Sequence, residues 1–289
     1  MPGELPRAAT AAVAWEGGLV VAGEVGRADR IHVAVWIASD GRTFQRAPDD
    51  VSFVDAAIVK LLAVNGGIVA VGTGAFAEYS GFRAWRSTDG VRWTSTARNV
   101  ADEAGPDGVE VIDGGFLAWG RTCSVCVPET AFWRSLEGAT WSDARREING
   151  NFAHATELGV THAGLVAFGT TGVDPASPAA WVMPNGAGAW QADEPPPQPE
   201  RTRIRTHLLV GHGEVLAGTS YSGDSPTGLI WLRRPDDVAW PQPITAPDLS
   251  VATVLQDPHR PAELILVGEV ERNGRLVVTL WSGSVDWAP

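Results

Sequence analysis

The fold is decided by residues 61–95, which read LLAVNGGIVAVGTGAFAEYSGFRAWRSTDGVRWTS. This stretch contains an apolar run, a Gly-Gly turn, a second run that closes at Gly72, a loop, and a third run around Trp85. A Ser-Thr-Asp-Gly turn then leads to Trp93. Runs of Val, Ile, Leu and Trp that are separated by Gly, Asp and Asn are typical of short β-strands joined by turns. The stretch therefore predicts antiparallel strands.

The same frame recurs six times along the chain. In each copy a Gly closes an apolar run, a Trp follows about a dozen residues later, and a second aromatic residue comes six to nine residues after that. The glycines are Gly23, Gly72, Gly120, Gly169, Gly218 and Gly268. The first aromatic residues are Trp36, Trp85, Trp133, Trp181, Trp231 and Trp281. The second are Phe44, Trp93, Trp141, Trp190, Trp240 and Trp287. Successive copies lie 48 to 50 residues apart, a spacing typical of four-stranded propeller blades.

We therefore predict an all-β fold, a six-bladed β-propeller with four antiparallel strands, A to D, in each blade. One domain is expected over residues 1–289, with blades at about 8–48, 54–98, 104–144, 151–193, 203–243 and 250–289. Two closures of the ring fit this register: packing of the first blade on the sixth, or an extra edge strand from the first residues.

Composition excludes some partners. The formal net charge is -12 and Lys60 is the single lysine, so the chain should repel the phosphates of nucleic acids. No apolar run approaches the roughly 20 residues that a membrane helix needs, so we expect a soluble protein without a membrane span. The first ten residues contain no signal-peptide core, although a trimmed export signal would leave the same start.

The turn from Ser87 to Trp93 is similar in sequence to a turn of a known protein family. Together with Ser39-Asp40-Gly41 and the turn from Ser135 to Trp141, it resembles the Asp-box of sialidase-type propellers, the bacterial neuraminidase (BNR) repeat. The box here is one residue shorter between Asp and Trp than the usual one, and the later copies depart further. In such a turn the Asp side chain accepts backbone N–H groups and the Gly adopts a positive φ. The aromatic residue is then expected to pack on the neighbouring blade.

The resemblance implies a sialidase chemistry that this sequence does not match. Sialidases hold the substrate carboxylate with three arginines and attack with a Tyr that a Glu activates. The sequence has two tyrosines, Tyr79 beside Glu78 and Tyr221 near Asp224, and its Arg30-Ile31-His32 lacks the Pro of the family's Arg-Ile-Pro. The resemblance therefore predicts the fold and leaves the catalytic residues unknown.

Cys123 and Cys126 are the only cysteines and lie in the B–C loop of the third copy. They predict a local disulfide, with free thiols or redox or metal chemistry as alternatives. A disulfide favours an exported, cell-surface location over a cytoplasmic one.

The B–C and D–A connections are longer and more varied than the other turns, and variable loops on a rigid scaffold commonly carry function. The residues after the landmark glycines should point toward the mouth of the channel on this face: Glu24, Thr73, Arg121, Thr170, Thr219 and Glu269. The predicted binding residues are Glu24, Arg121, Glu269, Tyr79, Tyr221 and Arg205. Glu24 and Glu269 belong to blades that become neighbours on closure, and their carboxylates could bind a metal or cation or share a proton. The alternative is that these are solvated polar residues at strand ends.

Two functions are compatible with these patterns. The first is a non-catalytic propeller that binds a protein or carbohydrate partner, or acts as a scaffold, through the B–C/D–A face. The second is an enzyme, such as a glycoside hydrolase, lyase or small-molecule cyclase, with its active site at the channel mouth. Neither requires a cofactor, and we expect none, although a calcium ion in the channel would suit the carboxylates.

Overall fold

A computed structural model describes residues 5–27, 30–40, 43–76, 79–98, 105–121, 129–142, 145, 147–148, 153–162, 164–172, 177–186, 188–199, 201–222, 225–234, 236–237, 239–257, 260–272 and 275–285. Cys123 and Cys126 lie outside these residues, and Tyr79 is described only as part of a strand. The chain divides into two compact units, Met1–Glu147 and Ile148–Pro289.

The first unit contains three β-sheets, which we call blades one to three. Blade one consists of β1 (Leu5–Trp15), β2 (Gly18–Arg27), β3 (Arg30–Ala38) and β4 (Gln45–Arg46). A 3-10 turn, Val51–Phe53, leads to blade two, with β5 (Ala56–Val64), β6 (Gly67–Phe76), β7 (Tyr79–Ser87) and β8 (Thr94–Arg98). Blade three consists of β9 (Gly105–Ile112), β10 (Gly115–Arg121) and β11 (Thr130–Ser135).

The second unit contains blades four to six. Blade four consists of β12 (His154–Thr161), β13 (Gly164–Thr171), β14 (Ser177–Pro184) and β15 (Gln191–Asp193). Blade five consists of β16 (Thr202–Val210), β17 (Gly213–Ser220), β18 (Thr227–Arg233) and β19 (Ile244–Pro247). Blade six consists of β20 (Leu249–Asp257), β21 (Arg260–Arg272) and β22 (Arg275–Ser284).

Every blade is an antiparallel meander whose strands follow chain order. Four blades have four strands, and blades three and six have three among the residues that the structure describes. This confirms the all-β, six-bladed β-propeller with blades of four antiparallel strands. The fourth strand of blade five, Ile244–Pro247, extends past the expected limit at residue 243. The single domain over residues 1–289 stays a prediction.

The landmark glycines are explained by a β-bulge that recurs in the first strand of every blade. At this bulge one residue of the strand is unpaired in each blade: Thr10, Val59, Asp107, Thr156, Arg205 and Ala252. The first strand of blade one has a second irregularity, at Arg7. The landmark Gly lies opposite the bulge on the second strand. A Cβ at Gly72 would overlap the carbonyl oxygen of Ala57, and a Cβ at Gly120 or Gly169 would meet the corresponding carbonyl. The repeated Gly is therefore required by close backbone approach.

The landmark tryptophans form much of the core. Trp85, Trp133 and Trp231 are fully buried. The ring of Phe82 in blade two stacks on Trp133 of blade three, with centroids 4.9 Å apart. Trp36, in contrast, is only half-buried, and so is Trp281. The expected structural role of the repeat Trp residues is thus confirmed most clearly in blades two, three and five.

The turn of blade two has the expected geometry. The Oδ1 atom of Asp89 accepts hydrogen bonds from the backbone N–H groups of Val91 and Arg92, at 2.9 and 2.8 Å. Gly90 has a φ of 70°, and the indole Nε1 of Trp93 donates to its carbonyl oxygen at 3.1 Å. These bonds fix the turn and direct the ring of Trp93 into the core.

Trp93 belongs to the same buried cluster as Val13 and Val20, and Gly90 of the turn lies against Val20, so the turn of blade two contacts the preceding blade, as expected. Blade three repeats the device, because Trp141 Nε1 donates to the carbonyl oxygen of Gly138 at 3.2 Å. In blade one the second aromatic residue departs from the expectation, since Phe44 is 43% exposed.

Candidate functional site

The bulge of the first strand places different side chains at the same point of each blade. Bulges commonly re-aim a side chain, so this position is where one blade can differ from another without changing the scaffold. The threonine hydroxyls of Thr10 and Thr156 donate to carbonyl oxygens of their own sheets, each at 3.3 Å. Val59 and Ala252 are apolar. Only Asp107 and Arg205 bring a charge to this position.

In blade three the charged bulge residue is paired. The Oδ2 atom of Asp107 lies 3.6 Å from the Nε atom of Arg121, the residue after the landmark Gly120. The Arg121 side chain is about half exposed. Arg121 therefore lies at the strand end where the sequence predicts it, but its charge is balanced within its own blade.

In blade five the bulge residue Arg205 belongs to a polar cluster around Tyr221, which we call the tyrosine site: Arg205, Thr219, Tyr221 and Ser250. Tyr221 follows directly after β17, and its backbone N–H donates to the carbonyl oxygen of Arg201 at 3.2 Å. The side chains of Ser250, Arg205 and Thr219 lie close enough to its phenol to lower the pKa of Tyr221. These residues belong to three strands, β20, β16 and β17, of blades five and six.

The electrostatics of the tyrosine site favour a polarised phenol. Burial raises the pKa of Tyr221, but hydrogen bonds with Ser250 and Arg205, the positive charge of Arg205 and a bond with Thr219 outweigh it and lower that pKa. The ring itself remains 41% exposed. The Nε atom of Arg205 is buried and has no hydrogen-bond partner among the described residues. The site thus combines a partly exposed aromatic residue with a positive charge and two hydroxyl groups near its phenol.

Thr219 was expected to point toward the mouth, and this is wrong. Its side chain is fully buried, and its Oγ1 atom accepts a hydrogen bond from the backbone N–H of Val251 at 2.9 Å. Thr219 therefore is a buried member of the tyrosine site, and its hydrogen bond links blade five to blade six.

The structure brings part of the predicted set together. Glu269 is the register partner of Ser250 in the β20–β21 ladder. Cβ atoms of such directly opposite residues lie about 4.5–5.5 Å apart on the same face of the sheet. Glu269 is thus next to a member of the tyrosine site. Glu24 and Arg121 belong to the other unit, so the expected pairing of Glu24 with Glu269 stays a prediction.

A buried ionic network in blade five was missed by the sequence. His207 Nε2 lies 2.9 Å from Glu214 Oε2, and Arg233 forms an ion pair with the other oxygen of Glu214. The guanidinium of Arg233 lies over the ring of Trp240, 4.3 Å from its centroid. His207 is therefore a hydrogen-bonded structural histidine. The available signal in the sequence was a His and a Glu seven residues apart, on either side of the turn between β16 and β17.

Within the described part of the chain, no group of three or more His, Cys, Asp or Glu side chains could hold a metal ion. Likewise, none of its helices has the length and apolar character needed to cross a membrane.

No protein-family model matches the sequence, and no curated protein is similar to it in sequence. Solved structures with the same fold do exist. A six-bladed β-propeller lectin from Aleuria aurantia that recognises fucose is similar with a TM-score of 0.56 and 10% identity, over 94% of this chain and 90% of the lectin.

Two further similar structures come from carbohydrate chemistry. A glycoside hydrolase candidate from Parabacteroides distasonis has a TM-score of 0.52 and 12% identity, over 81% of this chain and 87% of its own. An exo-β-1,3-galactanase from Phanerochaete chrysosporium has a TM-score of 0.52 and 11% identity, over 82% of this chain and 62% of its own. At these identities the likeness establishes the propeller fold alone, and none of the three supports the Asp-box family specifically.

Proposed function

We propose that this protein binds a carbohydrate at the tyrosine site. The observation that carries the proposal is the combination at Tyr221: an aromatic residue that is 41% exposed, with the charged side chain of Arg205 next to its phenol. Sugars present an apolar C–H face and a ring of hydroxyl groups. An exposed aromatic face can pack on the former, and fixed polar groups can bond the latter.

The polar groups of the site are arranged for such a ligand. Ser250, Arg205 and Thr219 surround the Tyr221 phenol with polar groups that suit the hydroxyl groups of a sugar. The lectin and the two proteins from glycoside chemistry support a carbohydrate as the ligand class.

Hydrolysis of the bound carbohydrate is the second candidate function. Two of the three similar structures are described as a glycoside hydrolase candidate and a galactanase, which favours an enzyme at least as well as a non-catalytic partner. Glu269, the register partner of Ser250, would supply the carboxyl group. A glycosidase also needs a general acid with a raised pKa. Asp50, Asp89 and Glu214 have lowered pKa values, so these three carboxyl groups are unsuited to that role.

The test is a screen of immobilised oligosaccharides, followed by calorimetric titration with each oligosaccharide that binds. We expect Tyr221→Ala to abolish binding and Tyr221→Phe to weaken it by about tenfold, because the latter keeps the ring and removes a hydroxyl that can contact the ligand. The matched control is Phe44→Ala, which removes an aromatic ring of similar exposure in blade one and should bind as the wild type does.

Product analysis separates the two candidates. Release of reducing sugar by the wild type, lost in Glu269→Gln with binding retained, would establish hydrolysis. Binding without release would establish the non-catalytic function. If no oligosaccharide binds, or if Tyr221→Ala binds as tightly as the wild type, the proposal is wrong.

A further inference from the structure

A second concave surface lies at the opposite end of a different blade. In blade three, the A–B turn and the C–D turn enclose a cleft of about 620 Å³. Its lining includes Asp113, Phe116, Arg134, Leu136, Glu137 and Trp141. Antiparallel connectivity places these turns at the end of the blade away from its B–C loop. The cleft is therefore separate from any site on the B–C/D–A face.

The cleft is lined by a carboxylate whose equivalent in blade two is hydrogen-bonded within its own turn. In blade two that position is Asp89, whose carboxylate accepts two backbone N–H groups and is thereby held with a pKa of about 2. In blade three the position is Glu137, one methylene longer. Among the described residues its carboxylate accepts a hydrogen bond from the Thr140 hydroxyl, at 3.4 Å, so it does not cap the turn as Asp89 does. Glu137 is exposed and lines the cleft instead.

The charge of the cleft is negative. Arg134 is the cation in the lining, and it is already paired: its Nε and Nη2 atoms donate to the two oxygens of Glu147, at 3.3 and 2.8 Å. Asp113 and Glu137 are therefore not neutralised by Arg134. A ligand that enters the cleft meets two carboxylates.

The wall of the cleft is aromatic. The indole of Trp141 is fixed by the hydrogen bond from Nε1 to the Gly138 carbonyl and by Phe82 and Phe116, whose centroids lie 5.0 and 6.3 Å away. Trp141 is half-buried, and the side chain of Leu136 beside it is 84% exposed. A fixed aromatic ring next to carboxylates is the arrangement that attracts organic cations, through the ring quadrupole and the charges together.

We infer that this cleft binds a cationic alkylammonium group, such as a quaternary amine or a protonated amine on a small molecule. This function does not depend on the proposed carbohydrate site, because its residues lie in another blade. The two sites can thus be tested separately.

The experiment titrates ¹⁵N-tryptophan-labelled full-length protein with choline and follows the indole N–H signals, with Trp141→Phe used to identify the Trp141 signal. We expect saturable shifts of the Trp141 signal with millimolar affinity. The neutral isostere 3,3-dimethylbutan-1-ol should bind at least about threefold more weakly, because it lacks the charge that the ring and carboxylates attract.

Two variants distinguish position from net charge. Glu137→Gln removes the carboxylate and should weaken choline binding about threefold. Glu137→Asp keeps the charge but restores the residue of blade two, so the carboxylate should return to the turn and binding should weaken to a similar extent. Glu194→Gln, at an exposed site in the other unit, is the matched control and should bind like the wild type.

Three results would overturn the inference. They are the absence of saturable choline binding in the millimolar range, equal binding of choline and its neutral isostere, and unchanged binding in both Glu137 variants. Thermal melts of each variant show that the protein is folded during the titration.

Discussion

Blades two and five share a scaffold and differ in what they place on it. Trp85 and Trp231 are both fully buried, and each Nε1 atom donates to the carbonyl oxygen of a preceding connection at 2.9 Å, to Ser52 and to Pro197. Both blades have the bulge opposite the landmark Gly. The bulge residue, however, is Val59 in one blade and Arg205 in the other.

The turns differ in the same way. Blade two closes with Asp89, which caps two backbone N–H groups. Blade five has Asp237, which accepts one, from Arg234 at 2.8 Å. What the two blades share therefore stabilises the sheet, and they differ at the bulge residue, in the C–D turn and in the ionic network of blade five. Function should therefore be sought at positions where the residue of one blade differs from the residues that the other blades have at the equivalent position.

The largest loss of stability is expected at the buried tryptophans that blades two and five share. Trp85→Ala and Trp231→Ala should each lower the free energy of unfolding by about 3–5 kcal/mol, because both remove a fully buried ring and leave a cavity. Chemical denaturation measures the loss. Leu136→Ala, at an 84% exposed position, is the control and should change little. Unequal losses for the two tryptophans would show that the blades do not share a core design.

The next largest loss of stability is expected at the glycines that lie opposite the bulge. Gly72→Ala should lower the free energy of unfolding by about 1–3 kcal/mol, since its Cβ would overlap the Ala57 carbonyl. Gly218→Ala should cost less, because the Arg203 carbonyl lies farther from its Cβ position. Equilibrium unfolding of both variants ranks them. A neutral Gly72→Ala would mean that the repeated Gly is not required by the bulge.

The ionic network of blade five has no counterpart in blade two, and it predicts a pH dependence. Burial raises the pKa of Glu214, but the hydrogen bond and charge of His207 and the contact with Arg233 outweigh it and lower that pKa below 4.5. A pKa that is lower in the folded state adds stability above the unfolded value, and this stability is lost as the pH falls through the folded value.

Glu214→Gln should therefore cost about 1.5 kcal/mol at neutral pH and reduce the loss of stability between about pH 5 and 3. Denaturation at several pH values measures both effects, with Glu194→Gln as the exposed control. An acid dependence as steep as that of the wild type would show that Glu214 does not contribute to it.

The smallest loss of stability is expected for the Asp residues of the C–D turns. Asp89→Ala should cost about 1 kcal/mol, and Asp237→Ala about half of that, in proportion to the backbone N–H groups that each side chain accepts. Because the Asp89 pKa of about 2 lies below its ordinary 3.8, the difference should vanish as the pH falls through this interval. Equal costs would remove this distinction between the blades.

The fold was predictable because its requirements recur. Each blade has a Gly opposite the bulge, and the landmark Trp is buried in blades two to five, so the repetition makes these positions visible in one sequence. The turn at Asp89 was predictable for the same reason, since a short Asp side chain caps its own backbone.

The bulge itself left no direct signal, because an extra residue in a strand changes neither composition nor hydropathy. The tyrosine site could be predicted only in part. Tyr221 and Arg205 were found as polar residues near a loop, but Ser250 approaches Tyr221 from the next blade, and such contacts depend on packing. Thr219 was misjudged because a residue at a strand end can face a neighbouring blade as readily as solvent.

The central claim is that the residues shared by the blades stabilise the scaffold, whereas the residue at the bulge of blade five gives the tyrosine site its ability to bind a ligand. It is tested most directly by Arg205→Val, which gives blade five the bulge residue of blade two, with oligosaccharide binding and thermal stability measured on the same sample. We predict a melting temperature equal to or above that of the wild type, since Val59 already occupies this position in blade two, together with at least about tenfold weaker binding. Binding equal to that of the wild type in a folded Arg205→Val protein would contradict the account.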